Sequence, residues 1–142
     1  MTDDCFLGID LGTGSCKACL IAPDGRVLGF GQGDYAASGA AHAWTEQDPR
    51  GLFAGMAAAS RAALESAHFS PAQVAAFSLG GAMHSLLALD AAGEPLTGVI
   101  TWADGRGARQ ALRERATPAA AERYRRTGCP AHGMYPLYKM LW

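Results

Sequence analysis

The fold of this 142-residue chain is decided by residues 6–33, which read FLGIDLGTGSCKACLIAPDGRVLGFGQG. Three apolar runs, at residues 6–11, 16–22 and 26–33, are separated by Gly-Thr-Gly and by Pro-Asp-Gly. Glycine, proline and aspartate in such short groups are strong signals for tight turns. The stretch therefore predicts an antiparallel meander of three short strands at the N-terminus.

A helix is predicted after an irregular segment at residues 34–47. Asp48 suits the N-cap position and Pro49 the first helical position, so the two residues together mark a helix start. Apolar residues then recur at helical spacing, which predicts one face packed against the sheet. The predicted inner face consists of Leu52, Phe53, Met56, Ala59, Ala63 and Ala67.

The remaining predicted elements are a buried strand, a hairpin, two arginine-rich helices and the start of a last helix. They cover, in that order, residues 74–79, 85–90 with 96–102, 105–116, 118–126 and 135–142. The last helix has no C-terminal cap before Trp142. The pattern predicts an α/β domain that is incomplete at its C-terminal end.

Composition excludes several classes of protein. No run of about 18 apolar residues occurs, so we expect no transmembrane helix and no membrane partner. Residues 1–4 carry two acids and no base, and Asp10 interrupts the first apolar run. A signal peptide needs a basic start and an unbroken apolar stretch, so the chain is interpreted as cytoplasmic. In that compartment the cysteines are expected to be free thiols, and Cys16-x-x-Cys19 is interpreted as packing rather than a zinc or redox site.

The charges are unevenly distributed. Residues 1–100 hold four basic and ten acidic side chains, whereas residues 101–142 hold eight basic and three acidic ones. The basic part lacks the interleaved aromatic residues of nucleic-acid binders, so no nucleic-acid partner is expected. Two interpretations stay open, namely solvated arginine faces on two helices or a surface that complements a segment outside this chain.

The first candidate site is the turn Asp10-Leu11-Gly12-Thr13-Gly14. Glycines allow backbone N–H groups to approach phosphate oxygens closely, and Thr13 adds a hydroxyl donor. Asp10 could hold Mg²⁺, and Lys17 could add positive charge near the phosphates. A P-loop is excluded because no Gly-Lys-Ser/Thr follows, and a dinucleotide fingerprint is excluded because Lys17 stands where a glycine is needed. A tight turn with a solvated aspartate is the structural alternative.

Five motifs in order resemble the FGGY family of carbohydrate kinases. The chain is similar to that family from Phe6 to Trp142, and within it to the gluconokinases and then the xylulokinases. Ala103 supports the likeness to gluconokinases, since xylulokinases typically carry Asn at this position, between the tryptophan and the aspartate that match Trp102 and Asp104. The motifs are GIDLGTGSCKACLI (8–21), HAWTEQDP (42–49), GGAMHSLLALDAAGEPL (80–96), ITWADGR (100–106) and RTGCPAHGMYPLYKMLW (126–142).

The resemblance implies a ribonuclease-H-like, actin-like ATPase fold with two domains and a cleft between them. Residues 1–142 would be the N-terminal portion of the first, sugar-binding domain. The remainder of that domain and the second domain, which carries the adenosine site, would lie outside this chain. The resemblance implies no catalytic residue here, since the family's catalytic aspartate is expected beyond Trp142. The chain alone is therefore expected to be inactive.

The same resemblance implies the site residues and cofactors, which are ATP and Mg²⁺. Asp10 matches the metal-associated aspartate. The expected phosphate-binding residues are Asp10, Gly12, Thr13, Gly14 and Lys17. The expected sugar-binding residues are Met83, His84, Trp102, Asp104 and, more weakly matched, His132. The chemistry of the second group agrees, because His84 and Asp104 can hydrogen-bond hydroxyls while Met83 and Trp102 can pack against a carbon skeleton.

The expected function is ATP-dependent phosphorylation of a small-molecule sugar or sugar acid, most simply gluconate to 6-phosphogluconate. Xylulose or another polyol is the alternative within the family, and a homodimer is left open. A non-catalytic actin-like nucleotide-binding domain is the alternative of another class, although it would not need Met83, His84 and Trp102. A ribonuclease-H-like nuclease would need further carboxylates at strand ends, but the strand at residues 74–79 ends in two glycines.

Overall fold

The computed structural model describes residues 4–38 and 44–142. Residues 39–43, which include part of the predicted irregular segment and the start of the second family motif, lie outside the described residues. The chain divides into two compact units. The sheet unit comprises Met1–Ala37 and Asp48–Ala82, and the second unit comprises Ser38–Gln47 and Met83–Trp142.

The predicted meander is confirmed. Its strands are β1 (Cys5–Leu11), β2 (Ser15–Ile21) and β3 (Val27–Asp34), and each pairs antiparallel with the next. Burial alternates along β1 and β2, as the pleat of a half-covered sheet requires. One face of the meander therefore belongs to the core and the other is open.

A fourth strand, β6 (Val74–Gly81), pairs in parallel with β1 and gives the sheet the order β3-β2-β1-β6. The prediction that this strand is buried is wrong, since Phe77 is 66% exposed and Leu79 53% exposed. An apolar run predicts burial only where neighbouring elements cover it. Among the described residues β6 is an edge strand, with β1 as its one neighbour in the sheet.

Helix α1 (Pro49–Ala67) begins as predicted, with the Asp48 carboxylate accepting hydrogen bonds from the backbone N–H groups of Arg50 and Gly51. Its buried residues are mostly small ones, among them Gly55, Ala59 and Ala63. The placement of Phe53 on the inner face is wrong, because its side chain is 67% exposed. Two residues turn a helix by about 200°, so a helix that buries Gly55 directs Phe53 outward.

The contact between α1 and β3 is made almost backbone to backbone. Gly29, Gly31 and Gly33 lie on the face of β3 that meets the helix. A Cβ atom added at Gly31 would overlap the backbone of Ala59 and Ala63 and would lie 2.8 Å from the Cβ of Ala62. Close approach of this kind is available only to glycine, so the alternate glycines of β3 determine where the helix sits.

The second unit contains short strands and the predicted helices. Leu86 and Ile100 exchange two backbone hydrogen bonds of 2.9 and 2.8 Å, so the predicted hairpin pairs as expected, although just residues 99–100 of it form a regular strand. The elements of the second unit are β5 (Glu46–Gln47), β7 (Val99–Ile100), α2 (Ala108–Arg115), α3 (Pro118–Thr127) and α4 (Pro136–Met140), and β4 (Ala37–Ser38) lies at the boundary of the two ranges. In the part of the chain that the structure describes, no helix combines the length and hydropathy that crossing a bilayer requires.

Candidate functional site

The candidate phosphate turn connects β1 with β2 in the sheet unit. The backbone N–H of Gly12 donates to the carbonyl of Ser15 over 3.0 Å, and the Tyr35 hydroxyl donates to the carbonyl of Gly12 over 2.6 Å. A Cβ atom at Gly12 would lie 2.9 Å from the Ser15 carbonyl oxygen, so the turn requires glycine there. Burial is the main reason that the pKa of Tyr35 is raised, and the nearby Cys16 and Asp10 raise it further. The hydroxyl thus stays protonated and keeps the turn closed.

Asp10 and Lys17 lie directly opposite each other on β1 and β2. Both are exposed, and both line a depression of about 330 Å³ that also includes Phe30. Thr13 and Gly14 are exposed at the tip of the turn. The structure thus brings the five predicted phosphate-binding residues to one end of the first hairpin. Their role in binding phosphate stays a prediction.

The residues at this end suit a metal ion that is held mainly by its phosphate ligands. Asp10 offers one exposed carboxylate, and residues 4–38 and 44–142 contain no cluster of three or more His, Cys, Asp or Glu side chains that could form a cage. Mg²⁺ in proteins is commonly held by one or two carboxylates together with substrate phosphates. The donor set therefore fits Mg²⁺ that arrives with a nucleotide.

The candidate sugar residues lie in the second unit, and three of them share a cavity. Trp102, Asp104 and His132 line a cavity of about 440 Å³, a volume suited to a small molecule. Met83, which is 73% exposed, and His84 are not among the residues that line it. Sugar binding by these five residues stays a prediction, and the shared cavity places Trp102, Asp104 and His132 together.

The Asp104 side chain is more buried, and forms more hydrogen bonds within the protein, than the sequence indicated. Its side chain is fully buried, and its two carboxylate oxygens accept hydrogen bonds from the Arg106 Nε (2.9 Å), the Arg106 backbone N–H (3.0 Å) and the Thr45 backbone N–H (2.7 Å). Burial alone would raise the pKa of Asp104, but the hydrogen bonds from Arg106 and Thr45 outweigh it and lower the pKa. The carboxylate is therefore a fixed anion with a structural role at the wall of the cavity.

Arg106 completes this network. Its Nη2 lies 2.6 Å from the Glu46 carboxylate and 2.9 Å from Asp104. The guanidinium carbon is 4.5 Å from the Trp44 ring centre and 4.9 Å from that of Trp142, distances typical of cation–π contacts. One arginine thus joins residues 44–46, 104 and 142, which are far apart in the sequence.

Lys139 fixes the backbone beside the candidate sugar residue His84. The Lys139 ammonium, which is buried, donates to the carbonyl oxygens of His84 and Thr101, each over 2.6 Å. Burial lowers the pKa of Lys139, an effect that the charge of Asp104 partly offsets. His84 has a left-handed backbone with φ of 66°, and its ring packs edge-on against Tyr135 at 4.8 Å. A non-glycine residue held in this region is often part of a functional site.

Sequence reasoning missed three residues that shape this part of the second unit, namely Arg106, Lys139 and Arg115. The available signal was the same for all three. Each is a long basic side chain near residues already singled out. Arg106 ends ITWADGR, Lys139 lies in YPLYKMLW, and Arg115 lies in the helix before the His132 loop. The sequence leaves open whether the basic residues are solvated or complement another segment, whereas the structure buries Arg106 and Lys139 and places Arg115 in the lining of the cavity.

Comparison with known proteins assigns a family. Residues 5–142 match the profile described as FGGY family of carbohydrate kinases, N-terminal domain. Gluconokinase from Bacillus subtilis (strain 168) is 35% identical over 137 residues, which cover 96% of this chain and 26% of that protein. Xylulose kinase from Streptomyces coelicolor is 33% identical over 138 residues, which cover 96% of this chain and 27% of that protein.

Solved structures agree with the sequence matches. The gluconate kinase from Lactobacillus acidophilus superimposes with a TM-score of 0.85 and 29% identity, covering 98% of this chain and 28% of that one. Glycerol kinases also match. The chain spans about a quarter of the length of the curated relatives named above, at 26% and 27%.

Proposed function

Because the chain belongs to the FGGY family of carbohydrate kinases, we propose that it works as the N-terminal part of an enzyme that phosphorylates gluconate with ATP. The observation that carries the proposal is the cavity lined by Trp102 and His132, in a chain that matches the family over residues 5–142. A flat aromatic side chain beside hydrogen-bonding groups is the combination that a polyhydroxylated carbon chain requires. Ala103, which stands where xylulokinases typically carry Asn, favours gluconate over xylulose.

The chain contributes binding and orientation to this reaction. Lys17, together with the backbone N–H groups of Thr13 and Gly14, would hold the phosphates of ATP and position the γ-phosphoryl group, and Asp10 would act through Mg²⁺. Mg²⁺, when bound through Asp10 and the phosphates, would supply charge neutralisation for the transfer. Trp102 and His132 would orient the acceptor. The base that takes the proton of the attacking hydroxyl would come from outside residues 1–142.

His84, which matches the family's sugar-binding pair but does not line the cavity, offers a separate test in the full-length kinase that carries this chain. A hydrogen bond to a substrate hydroxyl is worth about 1–1.5 kcal/mol, which corresponds to about a 10-fold change in affinity. We expect His84→Ala to raise the KM for gluconate about 10-fold while the KM for ATP stays within about twofold. Steady-state kinetics with each substrate varied in turn measure both values.

His68 provides the matched control for this variant. It also has a left-handed backbone, with φ of 57°, but it lies at the C-cap of α1. His68→Ala therefore introduces a similar backbone penalty without touching the candidate site. His84→Asn should retain more gluconate affinity than His84→Ala, because Asn tolerates positive φ and keeps a hydrogen-bonding side chain. Equal rises in both KM values, or a wild-type enzyme without gluconate turnover, would contradict the proposal.

A further inference from the structure

The wall of the 440 Å³ cavity carries an arginine that no motif pointed to. Arg115, the last residue of α2, lines the cavity together with Trp102 and His132. Its Nε donates to the carbonyl oxygen of Ala131 over 2.6 Å. This bond fixes the guanidinium against the loop that carries His132. In the described part of the chain Arg115 forms no ion pair, so both terminal nitrogens keep donor capacity.

His132 presents a second donor to the same space. Its Nδ1 accepts a hydrogen bond from the backbone N–H of Met134 over 3.2 Å. An imidazole nitrogen that accepts carries no proton, so in neutral His132 the proton resides on Nε2. The imidazole is thereby oriented by its own loop, with Nε2–H as the donor that remains for a ligand.

The acid that lines the cavity is already paired. Asp104 lines the cavity, but its side chain is fully buried and bound to Arg106. Residues 101–142 hold eight basic and three acidic side chains, and every one of the three acids is paired with an arginine of the same stretch. The pairs are Asp104 with Arg106, Glu114 with Arg123, and Glu122 with Arg125.

From these observations we propose that Arg115, assisted by His132, binds the carboxylate of the acceptor and so selects a sugar acid over a neutral sugar. A planar guanidinium matches a carboxylate with two parallel hydrogen bonds, an arrangement that a neutral hydroxyl cannot reproduce. Trp102 then lies beside the carbon chain of the same ligand. The inference rests on the proposed function, because it specifies which end of the acceptor this cavity holds.

The test compares an acid with its neutral counterpart in the full-length kinase. Gluconate and glucitol share a carbon skeleton and differ in whether C1 is a carboxylate or an alcohol. We expect Arg115→Gln to lower kcat/KM for gluconate by about 10- to 100-fold and to leave that for glucitol within about twofold. The kcat/KM of Arg115→Lys for gluconate should lie between those of wild type and Arg115→Gln, because lysine keeps the positive charge but lacks the planar pair of donors of a guanidinium. Arg109→Gln, which removes an exposed arginine of α2 outside the cavity lining, should match wild type.

Equilibrium binding, measured by calorimetry without ATP, separates this inference from the proposed function. Arg115-dependent binding of gluconate with no turnover would support the inference and contradict the proposed function. Equal losses on gluconate and glucitol in Arg115→Gln would show that Arg115 merely supports the Ala131 loop, which would overturn the inference. Gluconate binding that is absent in wild type, unchanged in Arg115→Gln, or displaced equally well by inorganic phosphate at the same concentration would also overturn it.

Discussion

Gly31→Val should destabilise the sheet unit by at least about 3 kcal/mol, the upper range for overpacking a tightly packed interior. A side chain at this position would overlap the backbone of Ala59 and Ala63 in α1, and backbone cannot move aside as a flexible side chain can. The helix would have to lift from β3 along its buried face. Chemical denaturation followed by far-UV circular dichroism measures the free energy of unfolding.

Gly8→Ala is the matched control for this experiment. Gly8 lies in β1 of the same sheet, but a Cβ atom there would lie 3.9 Å from the nearest atom, the carbonyl oxygen of Cys19. Alanine at a compatible site reduces the entropy of the unfolded chain, so this variant should be neutral or slightly more stable. Similar free energies of unfolding for Gly31→Val and wild type would contradict the backbone-to-backbone contact of α1 with β3.

Asp104→Ala should lower the stability of the second unit by about 3–5 kcal/mol, because it leaves the buried Arg106 guanidinium without its main partner. The Thr45 N–H would lose its acceptor as well. Tryptophan fluorescence reports the change directly, since Trp44 and Trp142 both contact Arg106. Denaturant titration gives the free energy of unfolding, and a shifted emission maximum before unfolding would show that the two rings have separated.

An exposed ion pair supplies the control for this loss. Arg125 pairs with Glu122 one turn away on α3, and both side chains are at least half exposed. Arg125→Ala should therefore change stability by less than about 0.5 kcal/mol. A loss below about 1 kcal/mol in Asp104→Ala would mean that the carboxylate is not held in this network. It would then be available to a substrate hydroxyl, as the sequence alone indicated.

Local signals explain most of what the sequence predicted correctly. The meander follows from alternation and turn residues, and the start of α1 follows from Asp48-Pro49, whose capping bonds lie within three residues. The inner face of α1 depends instead on the surface of the sheet against which the helix packs. Glycines at every second position of β3, in LGFGQG, were the signal that small residues of the helix, rather than Phe53, would face the sheet.

Burial and pairing over long distances were not predictable. The apolar run of β6 indicated a buried strand, but burial depends on neighbours that a run of residues does not reveal. Asp104 lines one cavity with Trp102 and His132, whereas its hydrogen bond to Thr45 joins residues 59 positions apart. Lys139 falls in the predicted start of the last helix, but its hydrogen bonds to the His84 and Thr101 carbonyls join residues 55 and 38 positions apart.

The most direct measurement is substrate-dependent ADP release by the full-length kinase that carries this chain. The substrates are gluconate, xylulose, ribulose and glycerol, with the isolated 142-residue chain as the control. We expect kcat/KM for gluconate to exceed the other three values by at least about 10-fold, the discrimination that one well-placed polar contact supports. We expect no turnover from the isolated chain. Phosphorylation of xylulose in preference to gluconate, or no ATP-dependent phosphorylation of any of the four, would contradict the assignment.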